Sequence, residues 1–343
     1  MKQQCHLCKE NIADKKGSHI VPHFLLKRIE NIDGKPERDY ELGFVIQEFD
    51  TKSHFGRSVP IEKLDNVYGE LSDEEIKKNK HPLIVDYVFC KKCEDSLAKI
   101  ESEYAQTLKK SNDKTYSSGI SSELGFLFWA SVIWRISINN QSGVKLSKGQ
   151  NEILRRILAR TLQAEIKDID FKALRESNDA NRISYKLLRC PEFSEKEATH
   201  MVFHPIFRYP YSIIIDEFML FFSFNNNYND YLNKDFFGIK EEVLEAPLNC
   251  FNGEEQIYPI SHQRMLDINK SLIDHIKELR VKKLNLFWDR LHIVLGGRGR
   301  TMPEQIKKEI FEELTSEEKR LGRKHNFEDL RNSTIKVMKK YLP

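Results

Sequence analysis

Two pairs of cysteines, each with two residues between its members, constrain this chain more than any other feature. They are Cys5–Cys8 and Cys90–Cys93. A C-x2-C turn lets two thiolates bind one ion at Zn–S distances of about 2.3 Å, and two such turns complete a tetrahedral site. The 81 residues between Cys8 and Cys90 do not argue against a shared site, because loop-closure entropy grows only with the logarithm of length. We therefore predict a structural zinc ion bound by all four cysteines; the alternatives are four independent thiols or a redox pair.

A zinc ion with four thiolate ligands has no open coordination position, so it stabilises a small module and does no chemistry itself. The other two cysteines, Cys190 and Cys250, stand alone beside apolar residues or proline, as core thiols do. The N-terminal residues lack the apolar core of a signal peptide. The longest apolar run, residues 125–134, is about half the length of a membrane span. We expect a cytoplasmic protein with reduced cysteines and no membrane partner.

The length of 343 residues exceeds what one core usually needs, and the chain changes character near residues 111–118. We expect an α+β fold in two parts: a zinc-binding module at 1–110 and a mainly α-helical domain at 119–343. The apolar pattern predicts helices at 24–31, 94–110, 123–139, 148–163 and 263–280, strands at 43–49 and 83–89, and a helical tail from 303. A run rich in β-branched and aromatic residues predicts a β-hairpin at 211–224 that turns at 216–217.

The segment between the cysteine pairs contains Ser18-His19-Ile20-Val21-Pro22, and Glu94 follows Cys93 at the start of a predicted helix. C-x2-C, an H-I-x-P strand and a second C-x2-C that opens a helix together resemble the HNH endonucleases, which are treble-clef or ββα-metal nucleases. The pattern is similar in more detail to bacterial HNH-like proteins with C-x-x-C, S-H-I-x-P and C-x-x-C-E-x-x-L followed by a later Glu. The resemblance covers about the first 105 residues, and the helical remainder is similar only through the run FLFWASVIWR.

This resemblance implies a zinc-stapled treble-clef fold for the N-terminal module and metal-dependent hydrolysis of phosphodiester bonds. His19 would be the general base that accepts a proton from the attacking water, a role that suits imidazole because its pKa lies near neutral pH. One Mg²⁺ or Mn²⁺ ion would stabilise the charge on the phosphate. Glu94 would supply an oxygen ligand to that ion. The implied partner is nucleic acid, with DNA expected, in a setting such as bacterial defence.

The sequence also departs from the HNH pattern. Ser18 stands where the family usually has a metal-binding Asp, the middle Asn has no counterpart except Asp86, and the gap before the second cysteine pair is longer. His19 could instead form a hydrogen bond inside the zinc module, and Glu94 could simply be a favourable anion at a helix N-terminus. Glu101 is expected on a solvated helix face. The alternative function is therefore a non-catalytic zinc-finger module that binds nucleic acid or a protein partner.

Basic residues form clusters, although the net charge of +3 is too small to indicate nucleic-acid binding by itself. The clusters are residues 277–300, which end in Gly-Gly-Arg-Gly-Arg; Lys319, Arg320, Arg323 and Lys324; and Arg155, Arg156 and Arg160 on the outer face of one helix. A glycine loop with two arginines can contact a phosphate backbone of any sequence. Solvated helix faces explain the clusters equally well. The chain has no P-loop, no GxGxxG that opens a helix and no GxSxG, so nucleotide hydrolysis and serine-hydrolase chemistry have no support.

Overall fold

The computed structural model describes residues 3–26, 42–46, 51–56, 58–69, 71–79, 82–108, 116–139, 144–162, 171–193, 201–208, 210–225, 236–322 and 325–341. The strands are β1 (Ser18–His19), β2 (Leu42–Ile46), β3 (Thr51–Phe55), β4 (Ile84–Val85), β5 (Tyr116–Ser121), β6 (Ser184–Arg189), β7 (Met201–Arg208), β8 (Tyr211–Ile215), β9 (Phe218–Ser223) and β10 (Glu254–Pro259). The helices are α1 (Ile61–Tyr68), α2 (Asp73–Lys78), α3 (Lys91–Leu108), α4 (Ser122–Ile138), α5 (Lys148–Leu162), α6 (Phe171–Arg175), α7 (Lys240–Glu245), α8 (His262–Val294), α9 (Glu304–Leu321) and α10 (Phe327–Met338). The expected α+β class is confirmed.

The chain forms two compact units, and neither is continuous in sequence. The first contains Met1–Ile29 and Pro82–Ile268, and the second contains Glu30–His81 and Asn269–Pro343. The sequence boundary near 111–118 lies within the first unit. The predicted division into a module at 1–110 and a domain at 119–343 stays a prediction.

The core of the first unit is built around α4. Every residue from Ser122 to Ile136 is buried, as expected for a helix that is apolar on all sides. The helix contacts α3, α5, β5 and β10. The neighbouring sheet has the strand order β5-β10-β6-β9-β8-β7, in which only β10 and β6 pair in parallel. The predicted hairpin at 211–224 is confirmed as β8 and β9, with Asp216 in the left-handed region at φ 49°.

A buried carboxylate joins α3 and α4 to the sheet. Glu255 on β10 is 0 % exposed and accepts hydrogen bonds from the hydroxyls of Tyr104 at 2.9 Å and Tyr185 at 2.6 Å. The Tyr104 hydroxyl in turn accepts a hydrogen bond of 2.9 Å from the indole of Trp129. The network satisfies an acidic group that would otherwise be costly to bury.

The second unit contains the hairpin of β2 and β3, helices α1 and α2, the part of α8 from Asn269 onward, and helices α9 and α10. Trp288 is 0 % exposed in the helical core, and its indole donates to the hydroxyl of Thr334 at 3.2 Å. Helix α10 begins with a capping box in which Asn326 and Asp329 each accept from the other's backbone amide.

Element bounds differ from the predictions where local backbone signals intervene. The helix predicted to end near 280 continues to Val294, because no Gly or Pro interrupts it before Gly296. The strand predicted at 83–89 is reduced to Ile84–Val85, since Tyr87 has φ 58° and leaves extended conformation. The helix predicted at 24–31 is a 3₁₀ turn at His23–Leu26, and 27–31 lie outside the described residues. No helix among the described residues has both the length and the apolar composition to cross a bilayer.

Candidate metal centre and adjoining site

The four cysteines of the two C-x2-C pairs converge on one point. Their sulfur atoms all lie within 4.8 Å of one another, and all four residues are buried. The Sγ atoms of Cys8 and Cys90 are 4.0 Å apart, close to the ~3.8 Å edge of a tetrahedron with metal–sulfur bonds of about 2.3 Å. None of the four forms a disulfide. The cluster could therefore hold a metal ion, and the predicted convergence of the two pairs is confirmed.

Hydrogen bonds of the flanking backbone fix the positions of the sulfurs. The amide of Lys9, at φ 62°, donates to the Cys5 carbonyl at 3.0 Å and closes the first turn. Asn11 reaches both pairs, because its backbone amide donates to Cys8 Sγ at 3.5 Å and its side-chain amide donates to Cys90 Sγ at 3.7 Å. Such donors stabilise thiolates.

The close packing of the sulfurs shifts the pKa values of the thiols in opposite directions. A hydrogen bond from the Cys93 thiol is the largest cause that lowers the pKa of Cys5, to about 4. The same hydrogen bond is the largest cause that raises the pKa of Cys93, and burial raises the pKa of Cys90. The cluster therefore favours a thiolate at Cys5 and opposes further negative charge beside it. A bound cation would remove that opposition.

The strand that carries His19 lies next to this cluster. Antiparallel pairing of β1 with β4 places Ser18 opposite Val85 and His19 opposite Ile84. The rings of His19 and His23 are stacked with their centroids 6.1 Å apart. Helix α3 begins at Lys91, whose amide donates to the Asp14 carboxylate at 3.0 Å, and Cys93 and Glu94 lie in its first turn.

Ser18 and Glu94 face each other on the inner side of this arrangement. Ser18 is 0 % exposed, and its hydroxyl lies beside the Glu94 carboxyl group. Glu94 is half-buried, and burial is the main cause that raises the pKa of its carboxyl group. The Ser18 hydroxyl and the charge of Arg135 act in the opposite direction and favour the carboxylate. A hydroxyl and a carboxyl group thus lie together, and Ser18 is the neighbour of His19 in the chain.

Arg135 was missed as a site residue by the sequence interpretation. Its guanidinium lies at the end of α4, donates to the His19 carbonyl at 3.0 Å, and forms an ion pair of 2.6 Å with Glu101. The expectation that Glu101 lies on a solvated face is wrong, because its side chain is only 19 % exposed in this pair. A signal was present in the sequence: a charged residue on a helix that is apolar on all sides must be buried with a partner.

Of the three arginines of α5, Arg156 and Arg160 are exposed and Arg155 is half-buried. Arg155 donates to the Leu7 carbonyl in the first cysteine turn at 2.8 Å and to Glu152 at 2.6 Å. Arg156 forms an ion pair of 2.8 Å with Asp179. The prediction that all three arginines lie on an outer face is therefore wrong for Arg155, which supports the cysteine turn.

The other two predicted basic clusters are the glycine loop and the residues at 319–324. Arg298 and Arg300 are exposed in the glycine loop, where Gly297 lies against the ring of His292. Arg320 pairs with Glu317, while residues 323–324 lie outside the described ones.

The two isolated cysteines also differ from each other. Cys190 is a buried thiol, as predicted, but Cys250 is only half-buried and donates to the Asn252 carbonyl at 3.7 Å.

No family model, no curated protein and no solved structure matched this chain when it was compared with each group.

Proposed function

We propose that the protein is a metal-dependent nuclease that hydrolyses phosphodiester bonds in nucleic acid, with DNA as the expected substrate, in the manner of HNH endonucleases. The observation that supports this most is the arrangement around His19. This residue lies on β1, β4 pairs with β1, and α3 follows β4 after residues 86–90 with Glu94 in its first turn. A hairpin followed by a helix is the ββα order that the resemblance implies.

The long gap between β1 and β4 has a structural explanation that is compatible with this proposal. Residues 30–81 belong to the second compact unit, whereas β1 and β4 both belong to the first. The two strands pair even though 64 residues, 20–83, separate them. The departure in spacing is thus an insertion between the strands.

His19 is the residue that we assign as general base. Arg135 binds its carbonyl oxygen, and its backbone pairs with Ile84. The main chain that carries the imidazole is therefore fixed. A base held in this way can accept the proton from a water molecule that attacks a phosphate bound beside it.

Glu94 and Ser18 would hold the divalent ion. A carboxylate oxygen and the buried hydroxyl beside it are oxygen donors of the kind that Mg²⁺ and Mn²⁺ accept. When bound, such an ion stabilises negative charge on the phosphate and the leaving oxygen.

The four cysteines would bind zinc and support the hairpin and the helix. Cys5 and Cys8 precede β1, while Cys90 and Cys93 enter α3, so one ion would join the segments that carry His19 and Glu94. Assignment of zinc, and of the treble-clef class, is part of this proposal.

A second candidate function is a non-catalytic zinc module that binds nucleic acid or a protein partner. The observation that favours it is Ser18, since a neutral hydroxyl is a weaker ligand for a hard cation than the expected carboxylate. Both functions require the four-cysteine site, but only the nuclease requires Glu94 and His19 to act on a substrate.

A magnesium titration of DNA cleavage separates the two. The wild-type protein, loaded with zinc, is incubated with supercoiled plasmid and increasing Mg²⁺ or Mn²⁺, alongside Glu94→Gln and the control Glu103→Gln. Glu103 lies on the same helix and is 41 % exposed beside Lys99. We expect cleavage by the wild type and the control, and a loss of at least about 100-fold in Glu94→Gln. Absence of cleavage by the zinc-loaded wild type with either ion would overturn the nuclease proposal in favour of the binding module.

A further inference from the structure

An exposed aromatic residue with unusual backbone geometry lies at the end of the β1–β4 hairpin. Tyr87 is 46 % exposed and has φ 58°. The left-handed region is uncommon for a bulky residue and costs free energy, so the surrounding structure must hold the conformation. About half of the tyrosine side chain remains accessible to a ligand.

Hydrogen bonds hold the backbone of this turn in place. The amide of Tyr87 donates to the Lys15 carbonyl at 2.7 Å, and the amide of Lys15 donates to the Phe89 carbonyl at 3.1 Å. The Asp86 carboxylate accepts from the amide of Gly17 at 2.8 Å. Tyr87 therefore lies on a turn whose backbone is hydrogen-bonded to the segment that leads into β1.

One lysine lies over the Tyr87 ring, and two more follow the same turn in the sequence. The ammonium of Lys16 lies 5.5 Å from the centroid of the Tyr87 ring. Lys91 and Lys92 are exposed at the start of α3, next in sequence to the same turn. Asp14 and Asp86 each accept a hydrogen bond from a backbone amide. A hydrogen bond with Tyr87 is the largest cause that raises the pKa of Lys16, and the charge of Asp86 also raises it. The surface thus combines an aromatic face with the ammonium groups of three lysines.

We propose that Tyr87 and Lys16 form a stacking site for an unpaired base of a single-stranded nucleic acid, with its phosphates bound by Lys16 and the lysines of α3. An aromatic face beside cations is the arrangement that binds single strands, because every base offers a π-face that a duplex keeps stacked inside. The choice of nucleic acid as the ligand rests on the proposed function. Lys16 is three residues from His19, at most about 10 Å along the chain, so a bound strand would pass close to the catalytic base.

Binding measured without cleavage tests this site directly. Zinc-loaded protein, without added Mg²⁺, is titrated into labelled oligothymidine and into a duplex of equal length, with fluorescence anisotropy as the readout. The variants are Tyr87→Leu, which removes the π-face; Tyr87→Phe, which keeps it; and Tyr341→Leu, which alters a similarly exposed tyrosine (44 %) in the second unit.

We expect Tyr87→Leu to bind the single strand about tenfold more weakly, while Tyr87→Phe and Tyr341→Leu bind like the wild type. Lys16→Gln should lower the slope of log K against log salt by about 0.7. Wild-type affinity in Tyr87→Leu, an equal loss for strand and duplex, or no binding of the single strand by the wild type would overturn the inference. The binding assay contains no Mg²⁺, so its outcome does not depend on cleavage. A protein that never cleaves nucleic acid can still bind the single strand in a way that depends on Tyr87.

Discussion

Arg135 donates a hydrogen bond of 3.0 Å to the backbone carbonyl of His19, a residue 116 positions earlier in the chain. The same guanidinium nitrogen lies 2.6 Å from the Glu101 carboxylate on α3. One buried cation therefore connects the apolar helix α4, the helix that carries Glu94, and the strand of the proposed general base. This link explains how a small hairpin keeps a defined position on a larger core.

Loss of Arg135 should destabilise the first unit strongly. Arg135→Met leaves the Glu101 carboxylate without its partner, and breaking a buried pair typically costs about 3–5 kcal/mol. The double variant Arg135→Met/Glu101→Leu should recover part of that loss. Arg156→Met is the control, because its pair with Asp179 is 43 % and 35 % exposed and should contribute less than about 1 kcal/mol. Urea unfolding measures all four proteins; equal losses for Arg135→Met and Arg156→Met would contradict the structural role.

Metal content should depend on the four clustered cysteines and not on the isolated ones. Cys8→Ser removes one of four sulfur ligands and should abolish stoichiometric zinc binding, whereas Cys250→Ser should retain one zinc per chain. Chelation of the metal should lower Tm of the wild type, because binding free energy contributes to folding free energy. Elemental analysis and thermal unfolding provide the measurements. Full zinc in Cys8→Ser would refute the four-ligand site.

Gly125 should be intolerant of even one added methyl group. A Cβ at this position would lie 2.4 Å from Glu255 Oε1 and 2.9 Å from the Tyr185 hydroxyl, inside the buried network. Gly125→Ala should therefore destabilise the protein by about 1–3 kcal/mol or more through overpacking. Gly149→Ala is the matched control on α5, where a Cβ meets nothing within 4 Å and should be neutral or slightly stabilising. A neutral Gly125→Ala in thermal unfolding would show that the network can rearrange.

Lys186 gives the stability a defined dependence on alkaline pH. The residue is 0 % exposed on β6 and donates to the carbonyls of Val243 at 2.7 Å and Leu244 at 3.1 Å. Burial lowers its pKa to about 8. Between pH 8 and about 10.5 the unfolded chain therefore binds more protons than the folded protein, and stability rises with pH through that window.

The test compares the wild type with Lys186→Met, so that other titrating groups cancel. The free energy of unfolding of the wild type, relative to the variant, should increase by about 3 kcal/mol from pH 8 to 10.5. A difference that stays constant across this window would show that the Lys186 pKa is the same in both states.

Local signals in the sequence predicted several elements well. Helix α5 follows from apolar periodicity, helix α4 and the hairpin of β8 and β9 follow from continuous apolar runs, and convergence of the cysteine pairs follows from their spacing. Each of these features is determined by residues close together in the chain or by a ligand set with strict geometry.

The rest of the fold depends on partners far apart in sequence. Strands β6 and β10 were not predicted, because Lys186 and Glu255 interrupt their apolar pattern. Both charges are buried because groups distant in sequence bind them. Lys186 donates to the carbonyls of Val243 and Leu244, and Glu255 accepts from the hydroxyls of Tyr104 and Tyr185. Arg135 was missed for the same reason, since its partners lie on β1 and α3.

The most direct test of the proposed function compares plasmid cleavage by the wild type and His19→Ala, with zinc content determined on the same preparations. His23→Ala is the control, because its ring stacks on His19 but has no assigned proton transfer. We predict that the wild type and His23→Ala cleave with Mg²⁺ or Mn²⁺, and that His19→Ala keeps one zinc per chain and loses at least about 100-fold in rate. Equal cleavage by zinc-loaded His19→Ala would contradict its role as general base.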